Sequence, residues 1–87
     1  MALYWVGYDL DRPGQDYEDL IRRIRQWGGV SILMSDWLIS NNNTTPTAIR
    51  DDLRQYMDRN DRIMVAEITS AAWANLLAGN ETVNNMF

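Results

Sequence analysis

Residues 2–8, ALYWVGY, are apolar on both alternating sets: Leu3 and Trp5 on one, Ala2, Tyr4, Val6 and Tyr8 on the other. Side chains alternate across a strand, so a strand apolar on both sets asks for cover on both faces. This places the segment in the middle of a sheet and requires other elements to pack above and below it. The following DLDRPGQ turns polar, and its Pro and Gly mark Asp11–Gln15 as a loop.

The rest of the chain supplies candidate partners. Asp16 is a suitable N-cap with Asp19 in a capping-box-like position, and Tyr17, Leu20, Ile21, Ile24 and Trp27 recur at helical spacing. Gly28-Gly29 closes that helix, because a glycine takes the left-handed conformation that follows a helix end. Val30–Ser40 is extended, with a break at Ser35-Asp36, and reads as two short strands joined tightly or one sharply bent strand. After the polar Asn41–Thr45 loop, Thr45-Pro46 starts a second helix, with Ile49, Leu53, Tyr56 and Met57 as its apolar stripe. Asp58–Asp61 reads as a turn and Arg62–Ile68 as a strand. A short helix is expected over Ala71–Ala78, stopped by Gly79, with NETVNNMF as a polar tail.

The predicted order is therefore β-α-β-β-α-β plus a C-terminal extension. This is a ferredoxin-like α+β sandwich: a four-stranded antiparallel sheet with two helices on one face. The expected arrangement sets the first and last strands side by side in the centre. At 87 residues and 46 % apolar, one domain spans 1–87, with its core over about 2–68 and a short helical extension over 69–87. Two helices leave one sheet face open, and an open face rich in aromatics is an unusual exposed patch. The short helix over Ala71–Ala78 is expected to cover part of it and a homodimer the rest, with Tyr4, Val6 and Tyr8 at the interface; the alternative is a monomer in which the extension covers everything.

Composition narrows the chemistry. The chain has no Cys and no His. Disulfides, Cys- or His-based zinc sites, Cys nucleophiles and Ser-His triads are excluded together. Any reaction must rest on carboxylates, Arg, Tyr, Ser/Thr or a bound hard metal. No stretch has the length of a membrane span, and MALYWV is too short before Asp9 for a secretory signal, so a cytoplasmic protein is expected. The net charge of −4 opposes general nucleic-acid binding, which depends on neutralised phosphates. All eight basic residues are Arg. Arg22, Arg23, Arg25, Arg50 and Arg54 either form a phosphate-binding face or, with Glu18, Asp19, Asp51 and Asp52, an ordinary mixed-charge helix surface; the second is expected. Trp5 and Trp27 fall at packing positions, whereas Trp37, beside Asp36, is open to either packing or base stacking.

The candidate site lies where the first strand ends. Asp9 and Asp11 are either magnesium ligands or a polar exit from the strand, where Asp bonds nearby backbone N–H groups. Tyr8 either contacts a group near Asp9 or belongs to the packed sheet. The segments YWVGYDL, DLIRRI, WGG, PTAIRDDLRQYM and DRIMVAEI, in this order, resemble the SinR-like family of small bacterial ferredoxin-fold proteins (not the helix-turn-helix repressor of that name). More distantly they are similar to the small homodimeric nuclease-like subunit of the CRISPR spacer-acquisition complex. The resemblance covers about residues 2–68. It implies that Asp9, following Tyr8 and preceding an apolar residue, is the metal-linked aspartate, and that two such aspartates meet near a dimer axis and hold magnesium. The departures are MSDWLI in the second strand pair, a helical reading of the extension instead of a fifth strand, and an acidic chain. The SinR-like resemblance implies a homodimeric interaction module with a possible second protein partner. The CRISPR resemblance implies a magnesium-dependent RNA or DNA endonuclease.

Overall fold

The computed structural model describes residues 2–11 and 17–87. The predicted N-cap Asp16 and the Pro-Gly turn lie outside the described residues. The elements are β1 (Leu3–Asp9), α1 (Glu18–Gln26), β2 (Gly29–Leu33), β3 (Asp36–Ser40), α2 (Pro46–Arg54), β4 (Arg62–Ile68) and α3 (Asn80–Met86). The result is an α+β chain with an open four-stranded antiparallel sheet and three helices, compatible with a small ferredoxin-like fold.

The sheet order is β2-β3-β1-β4, with every neighbouring pair antiparallel. β1 is central, as its two apolar faces require. β4 is beside it, but at an edge; β3, not β4, is the second central strand. Burial explains the difference: Trp37, Leu38 and Ile39 of β3 are all buried, whereas β4 alternates between exposed and half-buried positions. The hydrophobicity of β4 alone did not distinguish a covered strand from an edge.

Local signals account for the two longer helices. Leu20 and Ile24 of α1 are fully buried, and the chain leaves the helix through Trp27 and Gly28, whose φ of +90° suits glycine. In α2 the Thr45 side chain accepts the Ala48 N–H at 3.1 Å, and Pro46 sits at the start, where its missing donor is harmless. Ile49 and Leu53 are fully buried. The helix stops at Arg54, so Tyr56 and Met57 lie in the following turn, and Tyr56 is exposed. Val30–Ser40 forms two strands joined at Met34-Ser35, with a register irregularity between Ser31 and Leu33.

The two sheet faces carry separate cores. On the first, Tyr4 and Val6 of β1 and Trp37 and Ile39 of β3 pack with Tyr17, Leu20 and Ile24 from the α1 side and Ile49 and Leu53 of α2. Tyr8 packs against the same cluster. Tyr4, Val6 and Tyr8 therefore lie beneath the helices of their own chain. The expectation that they form a dimer interface is corrected on that ground: the alternation is right, but the helices cover the other set from the one assumed. The second face presents Trp5, Ile32, Leu38 and Ile68, and the C-terminal segment lies over it through Trp73, Leu76, Ala78, Val83 and Met86.

The extension also departs from expectation. Residues 71–78 are not helical, and Asn75 has a positive φ of 57°, which interrupts an α-helix. The Leu77 N–H donates to the Ile32 carbonyl at 2.9 Å, and Trp73 stacks on Phe87 at 5.3 Å between ring centroids. The helix instead follows Gly79, where Val83 and Met86, three apart, anchor one side of an otherwise polar segment against the sheet.

Candidate functional site

The second face is incompletely covered. Toward the β1–β4 end, a hollow of about 310 Å³ is lined by residues including Trp5, Gly7, Asp9, Asp36, Arg62 and Met64. The strand ladders explain this grouping. Gly7 pairs with Asp36 on one side and Met64 on the other, and Asp9 pairs with Arg62. A Cβ at Gly7 would come within 2.7 Å of Asp36 Oδ1 and closer still to the Trp5 ring, so a larger residue there would have to displace those side chains. The missing side chain makes the floor of the hollow.

Asp9 is at the rim. Its Oδ2 accepts from Arg62 Nη1 at 3.1 Å, and the two side chains are 73 % and 82 % exposed. Such a pair is worth at most about 1 kcal/mol. Asp36, from the next strand, lines the same hollow, so the structure places a second carboxylate near Asp9 that sequence reading treated only as part of a strand break. No local signal marks Asp36: it becomes a neighbour of Asp9 only because β3 pairs with β1 in the register that sets Gly7 opposite Asp36.

Magnesium prefers near-octahedral oxygen ligation, with one or two carboxylates and several waters. Among the described residues no group of three or more Asp or Glu side chains could hold a metal ion. The Arg62 cation already occupies one Asp9 oxygen. Within one chain the hollow therefore offers two carboxylates, Asp9 and Asp36, the first of them paired with Arg62. A centre of the kind that the CRISPR resemblance implies needs a second copy's carboxylates.

Asp11 is separate from this hollow. Its backbone N–H donates to Asp61 Oδ1 at 2.7 Å. Asp61 is 4 % exposed and also accepts the Asp58 N–H at 2.7 Å and the Tyr17 hydroxyl at 3.1 Å. Arg54 Nη1 donates to its backbone carbonyl at 3.0 Å. Burial pushes the Asp61 carboxyl pKa upward, the largest single effect. The Asp11 and Asp58 N–H groups, the Tyr17 hydroxyl and the Arg54 charge together outweigh it and hold the pKa below the ordinary carboxylate value. Asp61 was read as a turn residue. The turn forms, with the Asp61 N–H donating to the Asp58 carbonyl at 3.1 Å. Asp61 is also a buried tie between the exit of β1, the entry to α1 and the entry to β4, and the local pattern of Asp58–Asp61 carries no sign of that long-range role.

Arg22, Arg23, Arg25, Arg50 and Arg54 have partners within the chain. Arg23 bonds both Asp52 oxygens, at 2.7 and 3.1 Å, and Trp27 Nε1 donates to Asp52 Oδ2 at 2.7 Å. The Arg23 hydrogen bonds hold the Asp52 carboxyl below its ordinary pKa, against burial and with help from Trp27. The same contact raises the Arg23 pKa, against desolvation. Arg22 meets Asp19, Arg50 meets Asp51, and Arg25 lies over the Trp37 ring at 5.8 Å. With Arg54 on the Asp61 carbonyl, this is the mixed-charge surface expected from the sequence. Trp37 is buried and donates to the Tyr8 hydroxyl at 3.2 Å, so Trp37 packs instead of stacking a base, and Tyr8 belongs to the packed sheet.

Beside the polar hollow, an apolar cavity of about 260 Å³ lies between the C-terminal segment and the sheet, with Trp5 shared by both. Leu33 and Phe87 line this cavity and are exposed, and Met64 is 61 % exposed beside the polar hollow. No helix among the described residues is long and apolar enough to cross a membrane. No protein-family model matches the chain, and no solved structure matches it.

Proposed function

We propose that the protein is a homodimeric, non-catalytic interaction module of the SinR-like type, built on a ferredoxin-like sheet. The observation that carries this reading is the exposed Met64, which continues the apolar second face past Trp5 to the β4 edge. An apolar surface rimmed by polar groups, here Asp9, Asp36 and Arg62, is the pattern of a protein contact site. The test is sedimentation equilibrium of the purified chain. A mass twice that of one chain supports the reading; a single-chain mass at high concentration overturns it. Affinity recovery from the native host addresses a second protein partner, and repeated recovery of none counts against that part.

The alternative is a magnesium-dependent endonuclease, and one observation favours keeping it: Asp9 and Asp36 share a hollow. A dimer axis at this site would add a second Asp9. Incubation of RNA and DNA with Mg²⁺ or Mn²⁺, comparing the wild type with Asp9→Ala, decides it. Cleavage that disappears in the variant supports a nuclease. Equal cleavage in both points to a contaminant.

A further inference from the structure

The sheet has two edges, and they differ in how they are protected. Edge strands present unpaired N–H and C=O groups, and proteins ordinarily blunt them with short strands, bulges, Pro, charges or a covering segment. The β2 edge has three such devices. It is five residues long, it carries the irregularity between Ser31 and Leu33, and its Ile32 carbonyl accepts the Leu77 N–H from the C-terminal segment. The β4 edge is built differently. All seven residues pair with β1 in unbroken register, from Leu3 opposite Ile68 to Asp9 opposite Arg62. The strand contains no Pro, Gly or Lys, and its charges, Arg62 and Glu67, sit near its ends. Among the described residues no strand lies on its outer side.

We infer that β4 pairs antiparallel with β4 of a second copy, joining two sheets into one. The inference rests on the homodimer reading above and specifies its interface. A strand pairing with itself antiparallel obeys a two-fold axis, which closes the assembly at two copies. The register that pairs all seven residues is centred on Val65. It sets Met64 opposite the partner's Ala66, Ile63 opposite the partner's Glu67, and Arg62 opposite the partner's Ile68. No charge then faces a like charge directly, an arrangement that would destabilise the pair. Met64 and Ala66 lie on the second face beside Trp5, as their pairing with Gly7 and Trp5 requires. The exposed Met64 would thus gain an apolar neighbour, and the two second faces would run together.

The absence of Cys makes the register directly testable. Directly opposed residues place their Cβ atoms about 4.5–5.5 Å apart, within reach of a disulfide after small adjustment. Val65→Cys should convert almost completely to a covalent dimer under mild oxidation. Met34→Cys, on the exposed turn between β2 and β3, should remain mostly uncrosslinked and serves as the collision control. Wild-type sedimentation is run alongside, and circular dichroism establishes that both variants are folded. A dimeric wild type with selective Val65→Cys crosslinking supports the inference. A dimeric wild type in which Val65→Cys does not crosslink, or crosslinks no better than Met34→Cys, overturns the β4 pairing and leaves the homodimer reading standing. A monomeric wild type overturns both.

Discussion

The two faces of the sheet are covered by different means. The first lies under two helices with regular apolar stripes, and the cluster there includes nine buried residues, from Tyr4 to Leu53. The second lies under a largely irregular segment and a short helix, and among the described residues its cluster has three buried ones, Ile32, Leu38 and Val83. Fully burying a branched aliphatic side chain stabilises by about 1.5–3 kcal/mol, so the first face holds most of the apolar stabilisation. The second keeps an apolar cavity and a polar hollow. One face is therefore suited to holding the fold and the other to contact with something else.

The largest break in that comparison should come from Ile24→Ala or Leu53→Ala. Each empties a fully buried site on the first face and should destabilise by about 2–5 kcal/mol, measured by urea unfolding. A loss below 1 kcal/mol would mean that the helices are not the main cover. Asp61→Asn, at the rim of the same core, turns one carboxylate oxygen into an NH2 that cannot accept, so the donors of either Oδ1 (the Asp11 N–H and the Tyr17 hydroxyl) or Oδ2 (the Asp58 N–H) lose their partner, and it should remove about 1–3 kcal/mol at neutral pH. Its depressed folded-state pKa fixes the sign. The contribution is fully present above the unfolded value of about 3.9 and is lost as pH falls through the lower folded value. The gap between wild type and variant should therefore narrow in acid, and a gap that stays constant to pH 2 would refute the assignment.

Val83→Ala tests the second face. It removes two methyl equivalents from a buried site and should lower stability by about 2 kcal/mol. Amide exchange should quicken first in residues 71–87 while α1 and α2 stay protected. Uniform acceleration across both faces would show that the C-terminal segment is integral to one cooperative core. The smallest effect belongs to Arg62→Ala. Its exposed pair with Asp9 should contribute less than about 1 kcal/mol, and added salt should shrink even that.

How much of this was legible follows the same division. Stripes such as Leu20/Ile24 and Ile49/Leu53, and punctuation such as Thr45-Pro46 and Gly28, act within a few residues, so the first-face elements could be read directly. The β1 alternation was legible too. Which set the helices would cover was not, because period two defines two faces without saying which is which. In the extension, Trp73, Leu76 and Leu77 fit a helical stripe, so local pattern alone predicts a helix there. The positive φ at Asn75 and the Leu77 bond to Ile32 are tertiary outcomes that override that local pattern. At the site, Asp9 was visible as a strand exit. Asp36 became its neighbour only through the β1–β3 register, and Asp61 became a buried acceptor through contacts 44 and 50 residues away in sequence.

The position of β1 has a consequence for the growing chain. β1 is made before the other strands, yet its two neighbours, β3 and β4, end at Ser40 and Ile68. On a ribosome its apolar faces would wait until most of the domain had been synthesised, since non-local pairings close late and leave strand edges exposed meanwhile. The residues that make β1 the centre of the finished sheet are thus the ones that most need shielding during translation.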